Sequence, residues 1–403
     1  MEPAPTIDLS DPTTYVDGPP HDYFEYLRGH EPISRHRRSG DGADYWAVVR
    51  HADVVEVSRH PEVFSSEAQG VVLDDLTGER LAAMRQMLLG MDPPRHLDYR
   101  RQVSGEFKAR VIAGLEPRIR AICQRIMDNA AEMGDVDFVH DVCAPLPSQV
   151  IGELMGLPRA DWDHLHALAE RNSGGQDPDL NPDEASQGSA AIEMAMYAVE
   201  FARERRAATS MPDDLTSVIL HADFGGSPMS DADFGSFFLQ LVTAGNDTTR
   251  TMLSSGLAAL LEHPDQLDQL RHDRTMTAGA VEEILRWANP LHYFRRTATG
   301  AYTLAGTAIS PGDRIVMFYT SANRDSAVFD DPHRFDISRD PNPHLSFGIG
   351  EHFCLGVHLA RLEGRVFFDE LLSRFDHIEQ TGQALRQQSN LTTSLKRLPV
   401  RLG

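Results

Sequence analysis

Cys354, Asp247 and Thr248 are the residues of this chain whose types and settings could do chemistry. Cys354 lies in the run FGIGEHFCLG, residues 347–356, at the mouth of a helix predicted from Leu355 onward. A thiol there meets unpaired backbone N–H groups and the positive end of the helix dipole, which favour the thiolate. The glycines before it let backbone approach a large flat object closely. A thiolate so presented suits a haem iron, to which sulfur donates electron density that promotes O–O cleavage.

Asp247 and Thr248 belong to AGNDTT, residues 244–249, which interrupts an otherwise apolar stretch (FFLQLVT before, MLSSGLAALL after). Gly, Asn, Asp and Thr are weak in mid-helix, because their side chains compete for backbone hydrogen bonds. Such a local conflict in a long helix marks a functional or strained place. A widened turn would leave a groove for water or a small molecule. Heterolytic O–O cleavage consumes two protons, and a carboxylate with a hydroxyl beside it is suited to deliver them. Thr249 reads as a packing or back-bonding residue.

The elements that must position these groups follow from periodicity. SDAD at 230–233 is a capping signal, and the helix it opens runs to Glu262, before His263-Pro264. At 1.5 Å per residue it spans roughly 48 Å, enough to cross a domain. Helices are also predicted at 20–28, 51–60, from Asp92 through DPPRHLDYRRQVSGEF, 111–132, 145–157, 189–207 and 277–287. Strands are expected at 45–50, within 293–319 and within 391–402. Residues 67–91 read as a long irregular segment, a length that is usually functional or disordered, and 173–188 as a mobile loop. The expected fold class is mainly α (α+β): a single large helix-rich domain over 1–403 with small β-sheets.

Composition narrows the rest. The 403 residues are 41% hydrophobic, without repeat, low-complexity block or long linker. Cys123, Cys143 and Cys354 are too few for a disulfide framework, which fits a reducing cytoplasm. The first residues lack the charge and apolar core of a signal peptide, and no window is apolar for long enough to span a membrane. A net charge of −22 argues against nucleic acid as partner. Basic residues are nonetheless concentrated at Arg100, Arg101, Lys108 and Arg110, and again at Arg361 and Arg365. Such a spot would steer an acidic electron-donor protein.

The spacing F-x-x-G-x-H-x-C-x-G resembles the ligand loop of the cytochrome P450 superfamily, and AGNDT resembles its A/G-G-x-D/E-T motif. HADVVEVSRHPEVFSS, DPPRH, EEILR and PHRF follow in matching order, so the resemblance covers nearly the whole chain. It implies the cytochrome P450 fold and haem b ligated by Cys354, with O2 as co-substrate. Ala244, Gly245, Phe347, Gly350 and Gly356 would lie against the cofactor. The haem propionates would be met by His96, Arg100, Arg296 and His352, with Arg295 competing for the Arg296 role and His344 as a weaker candidate. Asp247 and Thr248 would be the proton relay, and Glu283, Arg286 and Arg334 a buried structural cluster.

The resemblance further implies a substrate pocket drawn from 67–91, roughly 164–200, 237–245, 291–294 and 392–393. Val71, Leu73, Met87, Leu88, Leu241, Leu291, Phe294, Thr392 and Thr393 would contribute, and His292 or Tyr293 would supply a polar anchor. The implied activity is oxygen insertion into a C–H bond of a hydrophobic small molecule, a steroid, terpenoid or branched lipid. Electrons would come from a separate ferredoxin and ferredoxin reductase, since the chain shows no flavin or iron–sulfur motif. A tailoring hydroxylase of a polyketide or other natural product is the enzymatic alternative, and a non-catalytic haem-thiolate ligand- or gas-binding protein the alternative of another class.

Overall fold

Ser230 caps the longest helix, Asp231–Glu262, by accepting the Asp233 N–H on its side chain. In this computed structural model, which describes residues 7–38, 42–173, 175–181, 184–210, 212, 214–223 and 228–403, that helix is the central beam. Phe234, Phe238, Val242, Asn246, Thr249, Leu253, Leu257 and Leu260 recur at three- and four-residue spacing and are all buried. Helices Pro145–Met155, Trp162–Ser173, Glu184–Ala207, Thr277–Ala288 and Val357–Arg374 pack against it.

A five-stranded sheet stands to one side, in the order Ile33–Arg37, Asp44–Val48, Arg314–Phe318, Tyr293–Ala298, Phe64–Ser65. Tyr293–Ala298 runs antiparallel to Arg314–Phe318, with Arg295 opposite Val316 and Arg296 opposite Ile315. Because side chains alternate across a strand, these consecutive arginines leave the sheet on opposite faces. A three-stranded sheet ties Pro399–Leu402 between Asp135–Asp137 and Ile378–Gln380.

The architecture is the helix-rich one the sequence predicts, with differences at particular elements. Residues 67–91 are not wholly irregular: Gly78–Gln86 is a helix and Leu88–Gly90 a single turn. That helix buries no residue and has no side-chain cap, so it leaves neither an amphipathic pattern nor a start signal. The stretch expected as one helix at 111–132 divides into Ala109–Ala113 and Glu116–Met133 around Gly114. Within the predicted 173–188 loop, a helix already begins at Glu184; residues 174, 182 and 183 lie outside the described residues. The long helix runs unbroken through 244–249 instead of widening. There the Thr248 hydroxyl donates to the Ala244 carbonyl at 2.7 Å, so the side chain bonds within the helix without opening it.

Candidate active site

The turn before Cys354 is built by backbone that only glycine adopts easily: Gly348 has φ 67° and Gly350 φ 77°. A Cβ on Gly350 would also strike the Ser58 carbonyl oxygen. The Cys354 N–H closes the turn on the Phe347 carbonyl at 2.9 Å. Phe347 is held in turn by the Arg361 guanidinium 4.9 Å above its ring. Burial raises the Cys354 thiol above its ordinary range, against a hydrogen bond from the Gly356 N–H and the nearby Arg100 and Arg361 charges. The helix-mouth argument for a thiolate is thus outweighed by desolvation in the protein alone; a bound metal cation reverses that balance and deprotonates the thiol.

Beside this turn the structure gathers His96, Arg100, Arg296 and His352. The two imidazoles lie with ring centroids 4.2 Å apart. Arg100 donates to the Phe353 carbonyl. Buried Arg296 donates from its guanidinium to the Arg295 carbonyl at 2.8 Å. Neither ring nitrogen of buried His96 has a hydrogen-bond partner. Burial, and then the Arg100 and Arg296 charges, push His96 down to about 4. Burial and then Arg296, His96 and Arg100 hold His352 well below its ordinary value. Among the described residues none of the four makes an ion pair with a carboxylate. A converging set of buried and half-buried donors and cations with no anion of its own fits a dianionic ligand. The propionates of haem are such a pair of charges, and the Cys354 sulfur is a suitable iron ligand.

Arg295, the competing candidate, points the other way and is engaged with Asp75 at 2.8 Å. Hydrogen bonds from Arg314 and Arg295 hold Asp75 down to about 2 despite partial burial. His344 is also engaged elsewhere. Its Nε2 lies 3.1 Å from Glu282, which Arg361 grips with two hydrogen bonds of 2.7 Å. Burial opposes the charge on Glu282, yet His344 and Arg361 hold it down to about 2.

On the long helix, Leu241, Ala244, Gly245 and Thr248 share an incompletely buried face: Ala244 is exposed and the others half-buried. Gly245 is needed for packing, since a Cβ would come 2.9 Å from Ile151. Asp247 sits at the edge of this face, with Oδ1 3.4 Å from Arg250. Thr249 is buried and hydrogen-bonded to Glu363. Helix Gly78–Gln86 touches the long helix.

The pocket candidates divide. Leu291 pairs with Thr392 through a β-bridge, and Phe294 stands edge-on to Tyr319 at 6.0 Å. Val71 is buried, and its carbonyl accepts the Arg295 N–H at 2.8 Å. Met87 is half-buried. Leu73 packs in the core of the five-stranded sheet with Tyr293 and Phe318, and Leu88 packs with Met91 and Val103. Thr393 spends its hydroxyl on the Ala288 carbonyl. His292 is buried, driven to about 3 by burial and then Arg386, and bonded to Thr320 at 3.0 Å. Tyr293 bonds the Leu73 N–H at 3.1 Å.

The cluster expected from Glu283, Arg286 and Arg334 needs correction. Glu283 and Arg286 are fully buried and 2.7 Å apart. Arg334 contributes its backbone carbonyl, which accepts from Arg286 at 3.0 Å, while its side chain is exposed. The second guanidinium is that of Arg339, 3.3 Å from Glu283. Sequence reasoning missed it because FDISRD offers no spacing rule to choose among the arginines of the loop. On the Cys354 side, a cavity of about 230 Å³ opens between Ala109, Ile112, Leu362, His358, Arg361 and Arg365.

A thiol at a glycine turn, a cluster of cations and imidazoles without a protein anion, and a helix face bearing a carboxylate and a hydroxyl lie in one part of the fold. Residues 180–402 match the family model for Cytochrome P450. The chain is 37% identical over 411 residues to a steroid C26-monooxygenase of Mycolicibacterium smegmatis, covering 99% of this chain and 95% of that protein. It is 38% identical over 364 residues to a methyl-branched lipid omega-hydroxylase of Mycobacterium bovis, covering 89% and 84%. The solved structure of Mycobacterium marinum cytochrome P450 CYP268A2 in complex with pseudoionone superposes with a TM-score of 0.92 at 36% identity, covering all of both chains. The chain belongs to the cytochrome P450 family of haem-thiolate monooxygenases. The binding-only alternative is therefore set aside.

Proposed function

We propose that this protein hydroxylates a steroid, terpenoid or branched-lipid substrate with O2, in a single catalytic domain that acts in the cytoplasm. Cys354 would hold the haem iron, and a separate ferredoxin with its reductase would supply electrons. The observation that carries the site assignment is the cluster of His96, Arg100, Arg296 and His352, without a protein anion, beside the Cys354 sulfur. When bound, haem supplies the redox chemistry that activates O2, with electron density donated by sulfur.

The protein's own groups do the remaining work. The Gly356 N–H and the nearby arginines stabilise negative charge on Cys354. His96, Arg100, Arg296 and His352 would hold the two propionates of the haem. Thr248 presents a hydroxyl on the incompletely buried face of the long helix; its proton is given to the Ala244 carbonyl, so its oxygen would accept a hydrogen bond from a water. Asp247 brings protons to it. Val71, Leu241, Leu291 and Phe294 make the pocket largely apolar, which favours greasy substrates with few polar anchors.

The names of the two relatives support the substrate class. Arg365, at the cavity on the Cys354 side where Arg361 is already paired with Glu282, supports an acidic electron donor. The test is the optical spectrum of the reduced protein under carbon monoxide. A strongly red-shifted Soret band is expected, followed by a spin-state change on titration with steroids, terpenoids or branched lipids. An unshifted Soret band would remove the Cys354 assignment. A response to polyketides alone would move the substrate class to natural-product tailoring.

A further inference from the structure

Behind Asp247, away from the incompletely buried face, a line of charged side chains leads to the surface. Asp247 Oδ1 lies 3.4 Å from Arg250 Nη2, and both side chains are largely buried. Arg250 Nη1 lies 3.2 Å from Oε1 of Glu170, on the neighbouring helix Trp162–Ser173. Glu170 in turn faces two histidines: His140 Nδ1 at 3.8 Å, from the turn Phe138–Cys143, and His166 Nε2 at 3.8 Å, one helical turn back. His140 is 65% exposed, so the line ends in solvent.

Buried polar atoms without protein partners collect along the same line: Nε of Arg250, Nδ1 of His166 and both polar atoms of the Asn246 amide. Buried groups of this kind are ordinarily met by ordered water. A guanidinium does not give up its proton at physiological pH. Arg250 therefore cannot carry a proton along this line; it can only hold or release the carboxylates at either end. It is shared between two acceptors, so a stronger pull by Glu170 loosens its hold on Asp247.

We infer that Arg250 and Glu170 are positioning residues for Asp247: Glu170 draws the guanidinium outward and so sets how firmly the Asp247 carboxylate is held and how readily it exchanges protons with solvent. The inference rests on the reading of Asp247 as the proton relay, which itself assigns nothing to Arg250, Glu170 or the histidines. Its consequence is that proton delivery is tuned from a neighbouring helix, at a residue that touches neither cofactor nor substrate.

Glu170→Gln tests it without removing a buried charge. The Asp247 side-chain carbon, assigned by comparison with Asp247→Asn, is titrated by NMR in the diamagnetic reduced, carbon-monoxide-bound protein. In Glu170→Gln, Arg250 serves Asp247 alone, so the Asp247 titration moves down by about half a unit or more, as expected for a more closely held carboxylate. Product formation falls about fivefold, a fraction of what a positioned acid supplies, and the solvent deuterium isotope effect rises while substrate affinity is unchanged. Arg250→Lys, which keeps a cation between the acids, retains more activity than Arg250→Gln. An unshifted Asp247 titration with an unchanged isotope effect in Glu170→Gln would overturn the inference. If Asp247→Asn itself leaves rate and isotope effect unaltered, the relay reading fails instead, and the two failures are told apart.

Discussion

His96 and His352 lie with ring centroids 4.2 Å apart, and neither forms an ion pair with a carboxylate among the described residues. Two imidazoles packed together beside Arg100 and Arg296 are kept neutral by burial and by those charges. The cluster has positive potential to spare, which a protein tolerates in its interior when a ligand is to neutralise it.

The two adjacent arginines should therefore behave differently. Arg296→Leu is expected to weaken haem retention, read as faster haem transfer to apomyoglobin, with little change in stability of the haem-free fold. Arg295→Leu should leave haem transfer nearly unaltered and instead lower the urea midpoint, because it removes a buried partner of Asp75.

Cys354→Ser should lose the red-shifted Soret band of the reduced carbon monoxide complex while keeping the far-ultraviolet circular dichroism of the fold. A retained band would mean that another residue supplies the sulfur ligand.

Thr248→Ala removes the hydroxyl but not the carboxylate. Substrate-induced spectral change should persist, while electrons are diverted to hydrogen peroxide and product per NADH falls well below wild type. General acid–base groups contribute roughly 10²–10⁴-fold, so a yield at the wild-type level would exclude Thr248 from proton delivery.

Glu283 accepts from Arg286 and Arg339 and from the Asp336 N–H, so it anchors the loop that leads to Cys354. Glu283→Ala leaves buried Arg286 without its counter-charge, at a cost of about 3–5 kcal/mol. Urea denaturation should show it, and Arg334→Ala should lie within about 0.5 kcal/mol of wild type because only its backbone takes part.

Glu363 gives a pH signature. Burial raises its carboxyl to about 8, against a hydrogen bond with Thr249. Below the ordinary carboxylate range both folded and unfolded chains hold this proton. As pH rises toward 8 the unfolded chain releases it and the folded chain keeps it, so the stabilisation is progressively lost. Glu363→Gln should flatten the decline of the urea midpoint between pH 5 and pH 8, about those pKa limits; an unchanged slope would mean that Glu363 is already ionised in the folded protein.

What could be read without coordinates depended on local signals. The Ser230 cap fixed the start of the long helix because one hydroxyl and one N–H three residues apart suffice to make it. The glycines at 348 and 350 mark a turn because their conformation is costly for other residues. Helix Gly78–Gln86 escaped notice because it has neither a buried stripe nor a cap. Arg339 escaped because the choice among loop arginines is made by which one folds back onto Glu283.

While the cations to meet an anion came from the family resemblance, the sequence by itself offered a thiol at a helix mouth and an acid and a hydroxyl in mid-helix. Those follow from covalent side-chain types and from contacts a few residues apart. Only the tertiary structure, through strand register, placed Arg296 beside His96 and His352 and Arg295 beside Asp75. It also showed that the Cys354 thiol is raised by burial, and that Glu170, far from Asp247 in the sequence, shares an arginine with it. Burial and charge pairing are sums over the whole fold, and no local pattern in the chain records them.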